Sequence, residues 1–158
     1  MKQIVYALAL MLVMLTASVS AATINVPADY VTIQDALISA APGDTILVAP
    51  GTYNENLTIL TDNVTLQSSG GRDVTTINAQ GAANALAIGD VAGSFSLTGT
   101  YPQGIVIDGF TIVNWTERGI AQRLGDNAIT IINNRVEAIG PGTRNNGIVV
   151  SGGEGTLV

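Results

Sequence analysis

The 158-residue sequence contains no cysteine and no histidine. These two absences exclude a Ser-His-Asp triad, a Cys-His pair, a structural zinc site and a haem ligand. An exported chain without cysteine is also closed to disulfides, so its core and hydrogen bonds alone must hold it together. Lysine occurs only at Lys2, and methionine only at Met1, Met11 and Met14. All four fall in the first stretch, MKQIVYALALMLVMLTASVSAA, which differs in kind from the remainder. Lys2 supplies a positive start, Ile4 to Leu15 an unbroken apolar run, and Ser20-Ala21-Ala22 a small-residue cleavage site. The pattern predicts a secretory signal peptide over residues 1–22, because the apolar run is too short to span a bilayer.

Once that leader is removed, five arginines face twelve acidic residues, a net charge of −7. Thioether, thiolate and imidazole are then all missing, so soft metals have no ligands. An acidic chain without basic tracts is a poor partner for nucleic acid. What remains is the chemistry of carboxylates, arginine, tyrosine and amides, with hard cations such as calcium as the metal class these groups can hold. The expected location is therefore secreted, periplasmic or cell-surface, with no membrane insertion after signal removal and no cofactor other than a possible calcium ion.

Residues 23–44 read as a short strand followed by one helix. Ile33, Ala36, Leu37 and Ala40 fall at i, i+3, i+4 and i+7, the apolar stripe of an amphipathic helix. Thr32 is placed to cap it, with Asp35 three residues on, and Pro42-Gly43 stops it. Beyond Asp44 the grain changes. Short β-rich runs follow one another at 45–49, 57–60, 64–68, 75–78, 85–89, 104–114, 128–136 and 147–150, with Gly, Asn, Asp, Ser or Thr in nearly every gap. No helical stretch separates them, which argues against a doubly wound sheet.

The runs repeat. Laying VIDGFTI (106–112) over TIINNRV (130–136) sets Ile107 on Ile131, Ile112 on Val136, and Gly109 on Asn133, two residue types that tolerate left-handed backbone. Gly119-Ile120 matches Gly147-Ile148 at an offset of 28, and the same offset sets Leu157 on Ile129. Repeats of about 20–28 residues, built of short strands and tight corners without helices, predict a solenoid whose stacked rungs bury one apolar column. The stretch GDTILVAPGTYNENLTI (43–59) then runs along one side of a coil, bends at Pro50-Gly51, and continues along the next.

INVPADYVTIQDALISAAPGDTILVAPGTYNENLTI resembles the N-terminal cap and first coil of the right-handed parallel β-helix, or pectin-lyase-like, superfamily. VIDGFTIVN, ITIINNRV and GIVVSG resemble its generic repeats. The resemblance covers roughly residues 24–158 and is specific for fold. It implies an all-β solenoid, residues 45–158, closed at its N-terminal end by a capping helix. GEGTLV ends on apolar residues without a second cap, so the expectation is a solenoid that continues beyond residue 158. For activity the resemblance is weak, since the same cap precedes lyases, esterases, hydrolases and proteins without known catalysis.

Asp108 in VIDGF has two readings. Enzymes of the superfamily place carboxylates on a strand face, which makes it a catalytic candidate; an Asp before Gly at a coil corner caps its own turn. Arg135 is the corresponding candidate base for a uronate lyase, with Arg118, Arg123 and Arg144 as further groove residues. Glu117, Asp126 and Glu137 are the candidate calcium ligands. The segments that mark the superfamily's lyases, esterases and polygalacturonases are absent, so surface charge is the alternative for all of these. Glu55 matches an acidic position of the family and is expected to anchor the first coil. The asparagine pairs at 133–134 and 145–146 are expected at turns, with amides bonding from rung to rung. Asn56, Asn63 and Asn114 open N-x-Thr sequons and are glycosylation candidates, with chance from abundant threonine as the alternative. Trp115, with Tyr101 and Tyr53, is a candidate for stacking on sugar rings, the alternative for the Trp being packing on the outside of a coil. The expected function is a secreted or cell-surface β-helix module that contacts polysaccharide or cell-envelope components, or serves structurally, without catalysis in these residues. The alternative is the N-terminal part of a calcium-dependent uronate lyase or pectin-esterase-like enzyme whose active rungs lie beyond residue 158.

Overall fold

The computed structural model describes residues 20–89, 101–123, 128–137, 146–151 and 155–157. Most of the predicted leader, the calcium candidate Asp126, and Arg144 and Asn145 lie outside these residues, as does the Arg123 side chain. The described residues form three sheets and one helix, α1 (Ile33–Ser39). The first sheet holds, in order, β1 (Thr23–Val26), β2 (Thr45–Val48), β5 (Thr65–Ser68), β8 (Ile105–Asp108), β11 (Ile129–Ile132) and β14 (Gly155–Leu157). The second holds β3 (Gly51–Tyr53), β6 (Thr75–Asn78), β9 (Thr111–Val113) and β12 (Arg135–Glu137). The third holds β4 (Leu57–Ile59), β7 (Asn84–Ile88), β10 (Arg118–Arg123) and β13 (Asn146–Ser151). All paired strands are parallel, and from β2 onward the chain visits the three sheets in rotation, returning to the first one rung further on each time.

Strand alternation explains the core. Side chains of a strand point alternately to either face, and neighbouring strands lie about 4.8 Å apart. In register, like therefore stacks on like. Ile24, Ile46, Leu66, Ile107 and Ile131 form one inward column of the first sheet. Ile77 and Ile112 do the same in the second sheet, and Leu57, Leu86 and Ile120 in the third. Together they make one apolar cluster that Phe110 completes at a corner.

The superposed repeats emerge in the register: Ile131 pairs with Ile107, Val136 with Ile112, and Ile148 with Ile120. Gly109 and Asn133 both adopt positive φ, +84° and +55°. At Gly109 the demand is double, because a Cβ there would also lie 3.4 Å from the Gly71 Cα. Several expectations shift. The single run 104–114 is two strands, since Gly109 turns the chain from the first sheet into the second. GTY at 51–53 is a strand of its own, so the opening stretch covers three sides of a coil and not two. One circuit is much longer than 28 residues, with Gln67 and Asp108 on adjacent rungs 41 residues apart, because additional sequence lies between β7 and β8. Leu157 pairs with Ile131, not Ile129, which lies opposite Gly155.

Helix α1 closes the end formed by β1, β2 and β4, burying Ile33, Ala36 and Leu37. Thr32 Oγ1 accepts from Asp35 N at 3.1 Å, the expected cap. A second cap comes from afar: Glu55 Oε1 and Oε2 accept from Ile33 N and Gln34 N, both at 3.0 Å. The carboxylate thus meets two of the free N–H groups that open every helix, at the end where the helix dipole favours negative charge. Gln34 uses its side-chain amide as a substitute strand. It accepts from Thr58 N at 2.8 Å and donates to Thr58 O at 3.2 Å, satisfying β4, the outermost strand of the third sheet. An edge that would otherwise invite another polypeptide is closed by one residue. Glu55→Ala should lower the unfolding free energy by about 1–2 kcal/mol in urea titrations. A loss within experimental error would show that burial alone docks the helix.

Asp44 ties the start of β1 to the helix exit. It is buried, and its two carboxylate oxygens accept from Ala22 N and Ala41 N, each at 2.8 Å. In the chain that retains Ala22, the last residue of the predicted leader, the Ala22 amide foremost and the Ala41 amide with it hold the carboxyl below the usual carboxylate range against the opposing effect of burial. Asp29 is lowered likewise, first by the Asn25 backbone N–H and then by its side chain. A depressed folded pKa contributes stability above the unfolded value and loses it as pH falls through the folded one. The melting temperature should therefore drop as pH is lowered below about 4, and Asp44→Asn should flatten that acid limb. An acid limb of undiminished slope in Asp44→Asn would assign it to other groups.

Candidate functional site

The corner between the first and second sheets gathers Asp108, Asn133, Asn134 and Arg135 of the polar side chains named from the sequence. Each rung turns there, at Ala49-Pro50, at Ser69–Val74, at Gly109-Phe110 and at Asn133-Asn134. On the outward face of the first sheet Gln67 lies in register with Asp108. Its Nε2 donates to Asp108 Oδ2 at 3.0 Å, and from the next rung Asn133 Nδ2 donates to Asp108 Oδ1 at 2.8 Å. The result is a row of three planar groups, amide, carboxylate and amide, on successive rungs about 4.8 Å apart. Asn134 secures the turn: its Nδ2 donates to Ile107 O and its Oδ1 accepts from Phe110 N, both at 2.8 Å. The pair sits at a turn as expected, but its amides bond Asp108 and backbone groups, not stacked asparagines.

Across the corner, Arg135 binds acids. Its Nη2 lies 2.9 Å from Asp73 Oδ1 and its Nε 3.6 Å from Glu137 Oε1. The loop carrying Asp73 rises along the stack, and Thr111 Oγ1 donates to Arg72 O at 2.8 Å. Arg72, Asp73 and Arg135 are exposed beside the row. The two catalytic candidates thus border one corner, but each is bonded to other residues: Asp108 to two amides, Arg135 to two carboxylates.

The two calcium candidates among the described residues, Glu117 and Glu137, each pair with an arginine. Glu117 Oε2 pairs with Arg118 Nη1 at 3.3 Å, Glu137 pairs with Arg135, and no group of three or more acidic side chains forms among the described residues. Of the sequons, Asn56 is exposed at a corner. Asn63 is exposed at φ +55°, its side chain where a Cβ on Gly104 would sit. Asn114 differs, since its Nδ2 donates to Asn78 Oδ1 at 3.0 Å. Trp115 is no stacking platform: it is 3% exposed and belongs to the core. Tyr53 also packs against the core and donates to Ala49 O at 2.9 Å. Burial pushes its phenol pKa up, and the Glu55 carboxylate adds to that.

Two features escaped sequence reasoning. Asn54, Asn78 and Asn114 form a second amide ladder at the next corner, with Asn78 Nδ2 donating to Asn54 Oδ1 at 2.8 Å. A spacing of 24 residues for the first pair was available as a signal; the longer circuit hid the second. Gln122 stands inward in the column of Ile59 and Ile88, 2% exposed, and neither amide atom has a partner among the described residues. Nothing local marks it, because RGIAQR lacks a clear alternation. No helix among the described residues is long and apolar enough to cross a membrane. No family model matches the sequence, and no curated protein matches it.

Proposed function

We propose that the protein is a right-handed parallel β-helix of the pectin-lyase-like kind, exported to the periplasm, cell surface or medium, where it contacts polysaccharide. One observation carries the reading: the Gln67–Asp108–Asn133 row, joined by its own hydrogen bonds, with Gln67 and Asp108 in strand register and Asn133 at the corner that follows Ile132. A polysaccharide is a repeating polymer of hydroxyls, and planar amides and carboxylates are the side chains that pair with adjacent hydroxyls. A row on rigid strands loses little entropy on binding. Its hydrogen-bonded carboxylate and the acid-paired Arg135 favour holding a ligand over turning one over.

Affinity electrophoresis of the folded protein against neutral and acidic polysaccharides, with and without calcium, tests the reading. We expect retardation by at least one polysaccharide, lost in Gln67→Ala and Asn133→Ala without loss of fold. Binding that survives both substitutions would remove the row from the reading, and no binding to any polymer would leave the module structural. Calcium-dependent release of unsaturated uronate, abolished by Asp108→Ala or Arg135→Ala, would instead establish the enzyme alternative.

A further inference from the structure

The sequence contains one Asn-Gly step, Asn146-Gly147, and one Asp-Gly step, Asp108-Gly109. Both are sites where the glycine nitrogen can attack the carbonyl carbon of the preceding side group, since glycine has no Cβ to hinder the approach. At asparagine the new N–C bond closes a five-membered imide, the amide Cγ–Nδ2 bond breaks and ammonia leaves. Water then opens the imide at either carbonyl, giving aspartate or isoaspartate. The asparagine side chain must be free to rotate onto the glycine nitrogen.

The fold treats the two steps differently. Asp108 is held at both oxygens, by Gln67 and Asn133, and Gly109 N donates to Ile132 O at 3.3 Å. Gly109 is buried against Gly71. The ladder asparagines Asn78, Asn114, Asn133 and Asn134 also have their side-chain nitrogens committed to hydrogen bonds. Asn146 is exposed at the start of β13, which among the described residues is the edge of the third sheet opposite β4, and its side chain makes no hydrogen bond among the described residues. Below it in register stand Arg118 and then Asn84. The Arg118 guanidinium reaches down to Asn84 Oδ1 at 3.5 Å and sideways to Glu117 at 3.3 Å.

We propose that Asn146 is a site of spontaneous deamidation, and that the carboxylate produced there pairs with Arg118 one rung below. The neutral column of amides around Arg118 thereby becomes a charged one, with one more negative charge at this corner.

The test is to incubate the folded, full-length protein at mildly alkaline pH and follow it by peptide mapping and isoaspartate assay. Expected are conversion at residue 146 at a rate that rises with pH, suppression in Gly147→Ala, and no isoaspartate at residue 108 until denaturant is added. An amide retained at 146 in the folded protein but lost in the unfolded one would overturn the proposal, as would equal isoaspartate formation at 108. For the Arg118 contact, a double-mutant cycle of Asn146→Asp with Arg118→Gln should show favourable coupling in the urea midpoint that salt reduces. Zero coupling would overturn that half.

Discussion

Leu37→Asp should leave the protein unable to persist as a soluble monomer. Leu37 is 4% exposed on the inner face of α1, against the end of the apolar column. Removing a buried leucine side chain costs about 2–5 kcal/mol. The aspartate adds a carboxylate that must be buried without a partner, at several kcal/mol more, or must drive the helix off. Domains of ordinary stability have about 5–15 kcal/mol in all. If the helix leaves, the Gln34 and Glu55 bonds leave with it, and β1 and β4 stand as open edges over exposed isoleucines. Size-exclusion chromatography should show aggregates for Leu37→Asp and a destabilised monomer for Leu37→Ala. Ile38→Asp, on the same helix at a position 73% exposed, should behave as wild type. A soluble Leu37→Asp monomer of unchanged stability would mean that the helix does not seal the column.

Phe110→Ala should lower the unfolding free energy by about 3–5 kcal/mol, the range for emptying a buried aromatic site. Phe110 is fully buried at the corner where the backbone leaves the first sheet. Its backbone joins the rung above, accepting from Arg135 N at 2.8 Å and donating to Asn134 Oδ1. Phe110 follows Asp108 by two residues and its N–H bonds the neighbour of Asn133, so loss of packing should loosen the row as well. Urea titration should show a lower midpoint at unchanged slope. Phe110→Leu, which retains much of the volume, should lose less than about 1.5 kcal/mol. A loss below about 1 kcal/mol for Phe110→Ala, short of the usual range, would show that the corner collapses around the gap.

Legibility followed the range of the physics. The α1 stripe and the Thr32 cap were readable because both are satisfied within one or two helical turns. The pairing of Ile107 with Ile131 and of Val136 with Ile112 was readable because stacked rungs set identical demands on the residue facing inward. The strand Gly51–Tyr53 was not, since one glycine, one threonine and one tyrosine show no alternation and only the neighbouring rung makes them a strand. Trp115 stayed open to two readings for a similar reason: whether an indole packs or projects depends on what lies across the corner.

By itself the sequence determined the kind of object: a cysteine-free series of short β runs under one helix, with its inward residues repeating rung by rung. Tertiary structure decided what each polar side chain does. Glu55 caps a helix that begins 22 residues before it, Asp108 is bound by a glutamine 41 residues earlier, and Arg135 meets an aspartate 62 residues earlier. These partners are chosen by register, and register depends on the length of each circuit, which the insertion between β7 and β8 changes without altering a single local pattern. An apolar residue needs only to face inward, a demand that its own strand expresses, whereas a hydrogen bond needs one particular neighbour, which only the stacked coil supplies.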